Sequence, residues 1–430
     1  MAISTEIMRL QGAKASLKTS IENKGVTVPS ATKIDGYAAL VDQISQGGGQ
    51  EEAPENDVNF YDYDGFRVAS YTIAEAKALT ALPTPPTHEG LTFEEWNWTL
   101  ADIQGYNRRY ANIGANYVTT DNKTHLFVTI NDTNEVSITF GGYRCTLEID
   151  WGDNSETSSL GYYLDSISKS ATHTYQSAGN YEIKVTCVAS EASGNYGRGY
   201  YGISNHNSII NWTTNLVLNK IWLGTDTSFT FNYSLISLSN KCAVSISKYT
   251  NCNFQRGLNY STIPIIVIPK GTVISNTNPT NYFNGILCCP KSLQYSTLNV
   301  QYHTANIIVL PENTNTSENF GRYSAQNILY TRVLSIPSTI KWASTTATDF
   351  FSGTYALEVF DIAPGWIPNL SFNLSASSRL SFEGLVAFLT NLGDRSSLGT
   401  TLTITLGGTN LAKIPDNIKT AANTKGYTLA

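Results

Sequence analysis

The sequence predicts a multidomain, mainly β chain whose helices lie near the two ends and in one small module. At 430 residues the chain is too long for one compact core, so several folded units in a row are expected. From Leu126, apolar and polar residues alternate in runs separated by Gly, Asn and Ser, which is typical of antiparallel strands. From about Trp212 to Trp366, an aliphatic segment recurs every roughly 25 to 40 residues, the range of repeat proteins.

The composition excludes several classes of function. Charged residues make up only 14% of the chain, against about 25% in typical proteins. A net charge of −6 with no basic run argues against a nucleic-acid partner. The chain shows neither a run of roughly 20 apolar residues nor an N-terminal export signal, so we expect no membrane insertion and synthesis in the cytosol.

Residues 1–46 predict an N-terminal helical hairpin. Its first helix carries a heptad-like apolar seam that is interrupted only at Lys14, formed by Ile3, Ile7, Leu10, Leu17 and Ile21. Short helices are marginal alone in water, and residues 47–57 read as a flexible Gly-rich, acidic linker. We therefore expect these helices to anchor or oligomerise the chain; the alternative is an ordinary hairpin with nothing to assemble.

Residues 58–125 predict a small α+β module that opens with a strand, VNFYDYDG. Two Thr-x-x-Glu patterns, at Thr72 and at Thr92, are typical of capping boxes at helix starts. Trp96 and Trp98 alternate with polar residues, and their assignment to the core is favoured over a surface platform.

Residues 126–200 predict a β-sandwich, within which the stretch IDWGDNSET carries three acids. Asp150, Asp153 and Glu156 lie at three-residue intervals, so they form either a catalytic or metal-binding cluster or the corner of a sheet. Cys145 and Cys187 both lie on predicted strands of this domain, and whether they pair is left open.

The run EIDWGDNSE, followed by THTYQSAGNYEIKVT, resembles the polycystic-kidney-disease (PKD) type of immunoglobulin-like domain. The resemblance is carried in order by Trp151, Gly152, Asp153, His173, Tyr175 and Gly179. It implies that the tryptophan packs between the sheets, that Gly152 takes a conformation a Cβ resists, and that Asp153 accepts backbone amides in the turn. Asn154 departs from the family, which usually has glycine at that position.

The acids are therefore expected to be structural, and the chain is not expected to be an enzyme. A pair of catalytic carboxylates flanks its substrate at about 5 to 9 Å, and nothing indicates a concave site at this turn. The stretch lacks the D-x-[DN]-x-[DN]-G calcium pattern. The histidines are dispersed, and no nucleophile elbow or cofactor loop is present. No catalytic residue, metal or cofactor is predicted.

Residues 201–380 predict a stacked repeat region. The segments IIVIPKG, NIIVLPEN, VLSIPST and LEVFDIAPG recur, and one unit alone cannot bury its apolar face. The pattern resembles the irregular leucine-rich repeats of bacterial surface proteins and phage fibres, which implies a β-solenoid; irregular antiparallel sheets are the alternative. Residues 381–430 predict an α/β cap of helix, strand, helix and short strand, whose first helix carries Leu385, Phe388, Leu389 and Leu392.

The order of these parts resembles tail and fibre proteins of bacteriophages. The resemblance implies a virion structural protein that is assembled in the host cytoplasm and released by lysis. We expect a homotrimer whose N-terminal helices bind other virion proteins and whose distal β domains attach to a host polysaccharide or protein receptor. Tyrosines with neutral polar neighbours suit stacking on sugars, and the candidates are Tyr200, Tyr201, Tyr233, Tyr249, Tyr260, Tyr282, Tyr295 and Tyr323.

Two other functions stay open. A head fibre, decoration protein or baseplate connector uses the same modules as spacers. A fibre-borne polysaccharide depolymerase needs a pair of acids from the repeats, and the candidates are Asp226, Glu312, Glu318, Asp349, Glu358 and Asp361. No pair among them has a defining spacing.

Overall fold

A computed structural model of the chain describes residues 14, 18, 28–29, 32–33, 37, 57–142, 145–161, 167–189, 208–224, 228–230, 242–247, 251–253, 263–274, 285–295, 307–313, 330–341, 351 and 353–430. The chain forms two compact units, Met1–Pro54 and Glu55–Ala430. Within the first unit, Val28 and Tyr37 are buried, and Lys14 Nζ lies 5.8 Å from the centroid of the Tyr37 ring.

The second unit is mainly β and begins with a mixed four-stranded sheet. Its strand order is β2-β1-β4-β3, with β1 parallel to β4 and the other pairs antiparallel. The elements are β1 (Val58–Tyr61), β2 (Arg67–Tyr71), α1 (Ile73–Ala78), β3 (Leu91–Trp96), α2 (Leu100–Gln104) and β4 (Ala111–Thr119). The opening strand predicted from VNFYDYDG is confirmed.

Of the two predicted capping boxes, one is confirmed and one is wrong. Thr72 accepts a hydrogen bond from the Glu75 amide, and the Glu75 side chain accepts one from the Thr72 amide, at the start of α1. Thr92 and Glu95 instead lie within β3, which pairs with β4. Strand pairing across the sheet outweighs the local helix signal there.

The second helix starts at a box that the sequence did not indicate. Thr99 accepts from the Asp102 amide at 3.1 Å, and Asp102 accepts from the Thr99 amide at 2.8 Å. This Thr-x-x-Asp box is a shorter version of the same reciprocal cap. Trp96 and Trp98, which precede this box, are each 2% exposed, which confirms their assignment to the core.

Two sheets follow and share one apolar core. Their strand orders are β14-β12-β5-β10-β7-β8 and β11-β6-β9. The strands are β5 (Thr124–Ile130), β6 (Val136–Gly142), β7 (Cys145–Asp150), β8 (Ser158–Leu160), β9 (Ile167–His173), β10 (Gly179–Ala189), β11 (Ser208–Trp212), β12 (Leu216–Trp222), β13 (Ser228–Thr230), which pairs elsewhere, and β14 (Ala243–Ser245). Three strands of these two sheets, β11, β12 and β14, lie beyond the predicted boundary at residue 200.

The two cysteines of this region lie on neighbouring strands. β10 and β7 pair in a register that places Cys187 opposite Leu147 and Ala189 opposite Cys145. The cysteines are therefore offset by two residues along the ladder.

A series of short parallel strands continues from the six-stranded sheet. β12 is antiparallel to β5 but parallel to β14, so it joins the antiparallel sheets to the parallel series. The segments that carry the parallel strands are called the repeats below. The further strands are β15 (Asn251–Asn253), β16 (Ile265–Val267), β17 (Val273–Ile274), β18 (Ile286–Cys288), β19 (Ser292–Tyr295), β20 (Ile307–Val309), β21 (Glu312–Asn313), β22 (Val333–Ile336) and β23 (Val359–Ile362).

The described pairs among these strands are all parallel, which disfavours the irregular antiparallel sheets considered above. The four segments predicted from the recurring pattern form β16, β20, β22 and β23. The segments around β14 and β18 belong to the same series but were not predicted.

The C-terminal elements match the predicted order of helix, strand, helix and strand. They are β24 (Phe372–Asn373), α3 (Phe382–Asn391), β25 (Leu402–Thr405), α4 (Gly407–Leu411), α5 (Asp416–Thr424) and β26 (Tyr427–Leu429). β24, β25 and β26 form a parallel sheet. The four predicted core residues of α3 and its C-terminal end, Leu385 to Leu392, are buried. The short helix α4 was not predicted.

The apolar core of the second unit is continuous. One cluster of buried side chains runs from Leu126 in β5 through the repeats to Tyr427 in β26. This cluster lies within the compact unit Glu55–Ala430. Within the described part of the chain, the helices are all too short or too polar to cross a membrane.

Candidate functional site

The three acids of the IDWGDNSET stretch lie beside a buried aromatic cluster. Trp151 is fully buried, and its ring stacks on His173 with centroids 4.9 Å apart. His173 Nε2 lies 2.7 Å from Asp153 Oδ2, and the Tyr175 hydroxyl donates to the Trp151 carbonyl at 3.0 Å. We call Trp151, Gly152, Asp153, His173 and Tyr175 the corner cluster.

Gly152 has no room for a side chain. Its φ is +75°, and a Cβ there lies 2.2 Å from the carbonyl oxygen of Glu182. Asn154 also has a positive φ, of 62°, which asparagine tolerates better than most residues. This explains how the turn accommodates Asn154. Gly179 lies in ordinary strand backbone, opposite Ile130 in β5.

Two of the three acids of this turn accept hydrogen bonds from its backbone amides. Asp150 Oδ1 accepts from the Gly152 amide at 2.9 Å, and Asp153 Oδ1 accepts from the Ser155 amide at 3.1 Å. Although partial burial acts to raise it, hydrogen bonds from Ser155 and His173 lower the pKa of Asp153 below its ordinary value. Glu156 is exposed.

The described residues contain no group of three or more His, Cys, Asp and Glu side chains that is placed to hold a metal ion. The hydrogen bonds and ring contacts of the corner cluster stabilise the bend that follows β7.

A second polar arrangement joins the module of residues 58–119 to the repeats. Asn97 is fully buried; its Nδ2 donates to the carbonyls of Ile268 at 3.1 Å and Cys288 at 2.9 Å. Its Oδ1 accepts from the Gly114 amide at 2.9 Å. One side chain thus bonds to two successive repeats and to β4 of the module.

Further buried side chains of the module extend this pattern along the repeats. The donors Asn116, Trp98 and Arg108 reach the carbonyls of Ile246, Cys289 and Leu310 at 2.8 to 2.9 Å. Each of these carbonyls comes directly after a parallel strand. We call Asn97, Trp98, Arg108 and Asn116 the docking ladder.

The ladder ends at a buried carboxylate. Asp361 in β23 accepts from Ser335 Oγ at 2.7 Å and from the Arg109 amide at 3.3 Å, and Arg108 Nη1 donates to Ser335 Oγ. Burial raises the pKa of Asp361 even though these groups act to lower it. The carboxylate is therefore occupied by contacts between the module and the last repeats.

An open groove of about 530 Å³ lies where the module meets the turn after β16. Lys270 Nζ contacts Glu95 Oε2 at 2.9 Å across it. Its remaining lining is mainly apolar and includes Leu82, Pro83, Pro85, Phe93 and Leu100. This chemistry suits an apolar segment better than a sugar or an anion.

Many predicted contact residues lie outside the described part of the chain. These are the seam residues Ile3, Ile7, Leu10, Leu17 and Ile21, and the tyrosines Tyr200, Tyr201, Tyr233, Tyr249, Tyr260, Tyr282 and Tyr323. Tyr295 is described only as the last residue of β19.

Among the acids considered for a depolymerase, Asp226, Glu318 and Asp349 also lie outside the described part. Glu312 begins β21, and Glu358 accepts from Arg332 at 2.6 Å and from Arg379 at 3.3 Å.

The docking ladder was missed by reasoning from the sequence. Asn97 lies between two buried tryptophans. The WNW run was the one local signal from which a buried amide at Asn97 could have been predicted. Arg108 carries no such signal. Comparison with protein-family models, curated proteins and solved structures finds no match to this chain.

Proposed function

We propose that the chain is a non-enzymatic phage virion structural protein of the tail-fibre, receptor-binding type. The observation that carries this proposal is the docking ladder, which bonds the module to successive repeats. A protein that binds the host through a surface far from its attachment point needs a rigid connection between its modules. The docking ladder supplies such a connection, because it joins the module to several repeats by buried hydrogen bonds.

The division of the chain supports the same role. The N-terminal unit ends within the Gly-rich, acidic segment, so attachment and contact are assigned to different parts. In this proposal the N-terminal helices trimerise and bind other virion proteins. The β unit contacts a host polysaccharide or protein, and the chain resides in the virion.

The resemblances stated above fit this proposal at a finer level. The corner cluster between two sheets supports a PKD-type, immunoglobulin-like domain. The parallel strand series with its α/β end supports leucine-rich-repeat-like stacking closed by a cap, since an open apolar edge invites aggregation.

The described acids of the repeats support a role without catalysis. Glu358 is held by two arginines, and Asp361 is buried against Ser335 and the module. A pair of catalytic acids needs access to substrate. Asp361 lacks this access because it is buried, and both carboxylate oxygens of Glu358 are held in ion pairs with Arg332 and Arg379.

The proposal is tested by competition. Susceptible host cells are incubated with the purified full-length chain before infection, and adsorption of the phage that encodes the chain is measured. We expect adsorption to fall as the chain is added. If adsorption is unchanged and cryo-electron microscopy places the chain on the capsid, the head-fibre or decoration role replaces this one.

A further inference from the structure

The outer face of the six-stranded sheet carries a cleft of about 380 Å³. It lies across the three adjacent strands β12, β5 and β10, and side chains on this face alternate with those of the buried core. Its lining consists of Phe127, Val128, Asn180, Tyr181, Glu182 and Asn219. We call it the sheet-face cleft.

Two amide side chains of the cleft are held by one threonine. Asn219 Nδ2 donates to Thr129 Oγ1 at 2.9 Å, and Thr129 Oγ1 donates to Asn180 Oδ1 at 2.7 Å. This chain leaves Asn219 Oδ1 as an acceptor and Asn180 Nδ2 as a donor, and neither atom has another partner among the described residues. Asn219 lies at a shift in register between β12 and β5, and such bulges re-aim side chains near binding sites.

The carboxylate of the cleft is also held in place. Glu182 Oε1 lies 2.7 Å from His125 Nδ1, and His125 Nε2 lies 2.8 Å from Asp121 Oδ1. The His125 side chain is 5% exposed, so a buried ring orients the Glu182 carboxylate. Glu182 Oε2 lies 3.9 Å from Lys184 Nζ. A ligand therefore meets a carboxylate that loses little freedom on binding.

Phe127 forms an apolar wall beside these polar groups. Its ring packs edge-on against Trp222, with centroids 4.6 Å apart. Lys220 Nζ lies 4.3 Å from the ring centroid. The cleft thus combines one aromatic side chain, two amides, one carboxylate and nearby ammonium groups.

From this arrangement we infer that the sheet-face cleft binds one unit of a neutral, hydroxyl-rich saccharide. Neighbouring strands are about 4.8 Å apart, which is close to the spacing between hydroxyl groups across a sugar ring. Asn180 Nδ2 offers a donor, and Asn219 Oδ1 and the Glu182 carboxylate offer acceptors, so the cleft can bind hydroxyls that both donate and accept. An aromatic wall with a few fixed polar groups is typical of small-ligand sites. The inference rests on the proposed contact role and names the ligand class that this role requires.

Other ligand classes fit less well. A phosphate or other dianion is repelled by the Glu182 carboxylate, which lines the cleft. An apolar ligand covers Asn180 Nδ2 and Asn219 Oδ1 and displaces water from them. Because such a ligand offers them no hydrogen bond in return, its binding free energy is less favourable.

Saturation-transfer NMR on the full-length chain tests the inference, with glucose, galactose, mannose, N-acetylglucosamine and their β-linked disaccharides as probes. We expect at least one probe to bind.

The Asn180→Ala, Asn219→Ala double variant should bind it about tenfold more weakly, since it removes one donor and one acceptor. Asn180→Asp, which keeps the size of the side chain but removes the donor, should weaken binding in the same direction. Asn423→Ala, at an exposed position on α5, is the matched control and should bind as the native chain does.

Thermal unfolding checks that the variants fold. If the double variant does not fold, the binding measured with Asn180→Asp tests the inference instead. Binding of no probe, or equal binding by native chain and variants, overturns the inference. The adsorption competition separates the two proposals. A native chain that competes for host cells while its cleft variants compete equally well leaves the receptor-binding role standing and removes only the cleft, whereas a native chain that fails to compete removes the proposed function itself.

Discussion

Asp153 stabilises the turn after β7 through both of its carboxylate oxygens. One accepts from the Ser155 amide, and the other contacts His173. His173 in turn stacks on Trp151, so the acid, the imidazole and the indole fix one another. An acid beside a tryptophan is therefore explained here by backbone hydrogen bonding and packing.

We expect Asp153→Asn to lower the free energy of unfolding by about 1 to 3 kcal/mol at pH 7, because a charge-assisted contact is lost. The folded-state pKa of Asp153 lies below its ordinary value. The Asp153 carboxylate therefore contributes fully to the free energy of unfolding above about pH 4. This contribution is lost as the pH falls through the folded-state pKa. Urea unfolding at pH 7 and pH 2.5 should show the gap between native chain and variant narrowing in acid. Glu156→Gln, at an exposed position, is the control and should change stability by less than about 0.5 kcal/mol.

Gly152→Ala should destabilise the chain by about 3 kcal/mol or more, because both the positive φ and the Glu182 carbonyl oppose a Cβ. Gly161→Ala is the matched control, since a Cβ there meets no atom within 4 Å. Thermal unfolding of the two variants measures the difference. Equal melting temperatures would show that the turn relaxes freely.

Strand β4 positions the module against the repeats. Its Gly114 lies so close to β16 that a Cβ there is 2.4 Å from Val267 Cγ2, and Asn97 bonds across the same junction. Tyr61 packs with Ile265 and Val267 in one small apolar cluster. The junction is as closely packed as the interior of a domain.

Asn97→Ala leaves the Ile268 carbonyl and the Gly114 amide buried without this partner, each worth about 1 to 3 kcal/mol. The Cys288 carbonyl keeps its hydrogen bond from the Ile268 amide, so we expect a loss of about 2 kcal/mol or more in the free energy of unfolding. Hydrogen exchange should show faster exchange of the Gly114 amide. Unchanged protection of that amide would contradict the assigned contact.

Gly114→Ala should destabilise through its clash with Val267, which is 1% exposed. Val267→Ala alone should cost stability as a cavity. Combined, the two changes should cost less than the sum of the single effects, by about 0.5 to 3 kcal/mol. A double-mutant cycle from equilibrium unfolding measures this coupling, and strict additivity would argue against close contact between β4 and β16.

The continuous core makes residues 55–430 one structural body. Apolar side chains from the antiparallel sheets, the repeats and the C-terminal helices and strands belong to a single cluster, and the module adds smaller shared clusters along the repeats. Glu55–Ala430 is a compact unit by itself. We therefore expect this body to fold without the N-terminal unit.

A chain that begins at Glu55 should keep the melting temperature of the full-length β unit to within a few degrees. It should also be a monomer, because the proposed trimer contacts belong to the seam Ile3 to Ile21. Light scattering after size-exclusion chromatography compares the two chains. A truncated chain that stays trimeric would move the oligomer contacts into the β unit.

Local patterns were sufficient for many strands and helices. Period-two alternation located β5, β7 and β10, and helical spacing located α3. These predictions succeed because the pattern records which side chains must leave water, whatever they pack against. The failure at Thr92 shows the limit, since a capping motif within a strand yields to pairing with β4.

The pattern of residues along the chain predicted a mainly β protein with a WGD turn, a stacked repeat region and an α/β end. The position of the module along the repeats and the sheet-face cleft became visible only in the folded chain. Asn97 finds its carbonyl partners 171 and 191 residues away, and the cleft assembles three strands that are not consecutive in the chain. Hydrogen bonds of this range leave no periodic trace in the sequence, because they depend on where the folded backbone places each donor and acceptor.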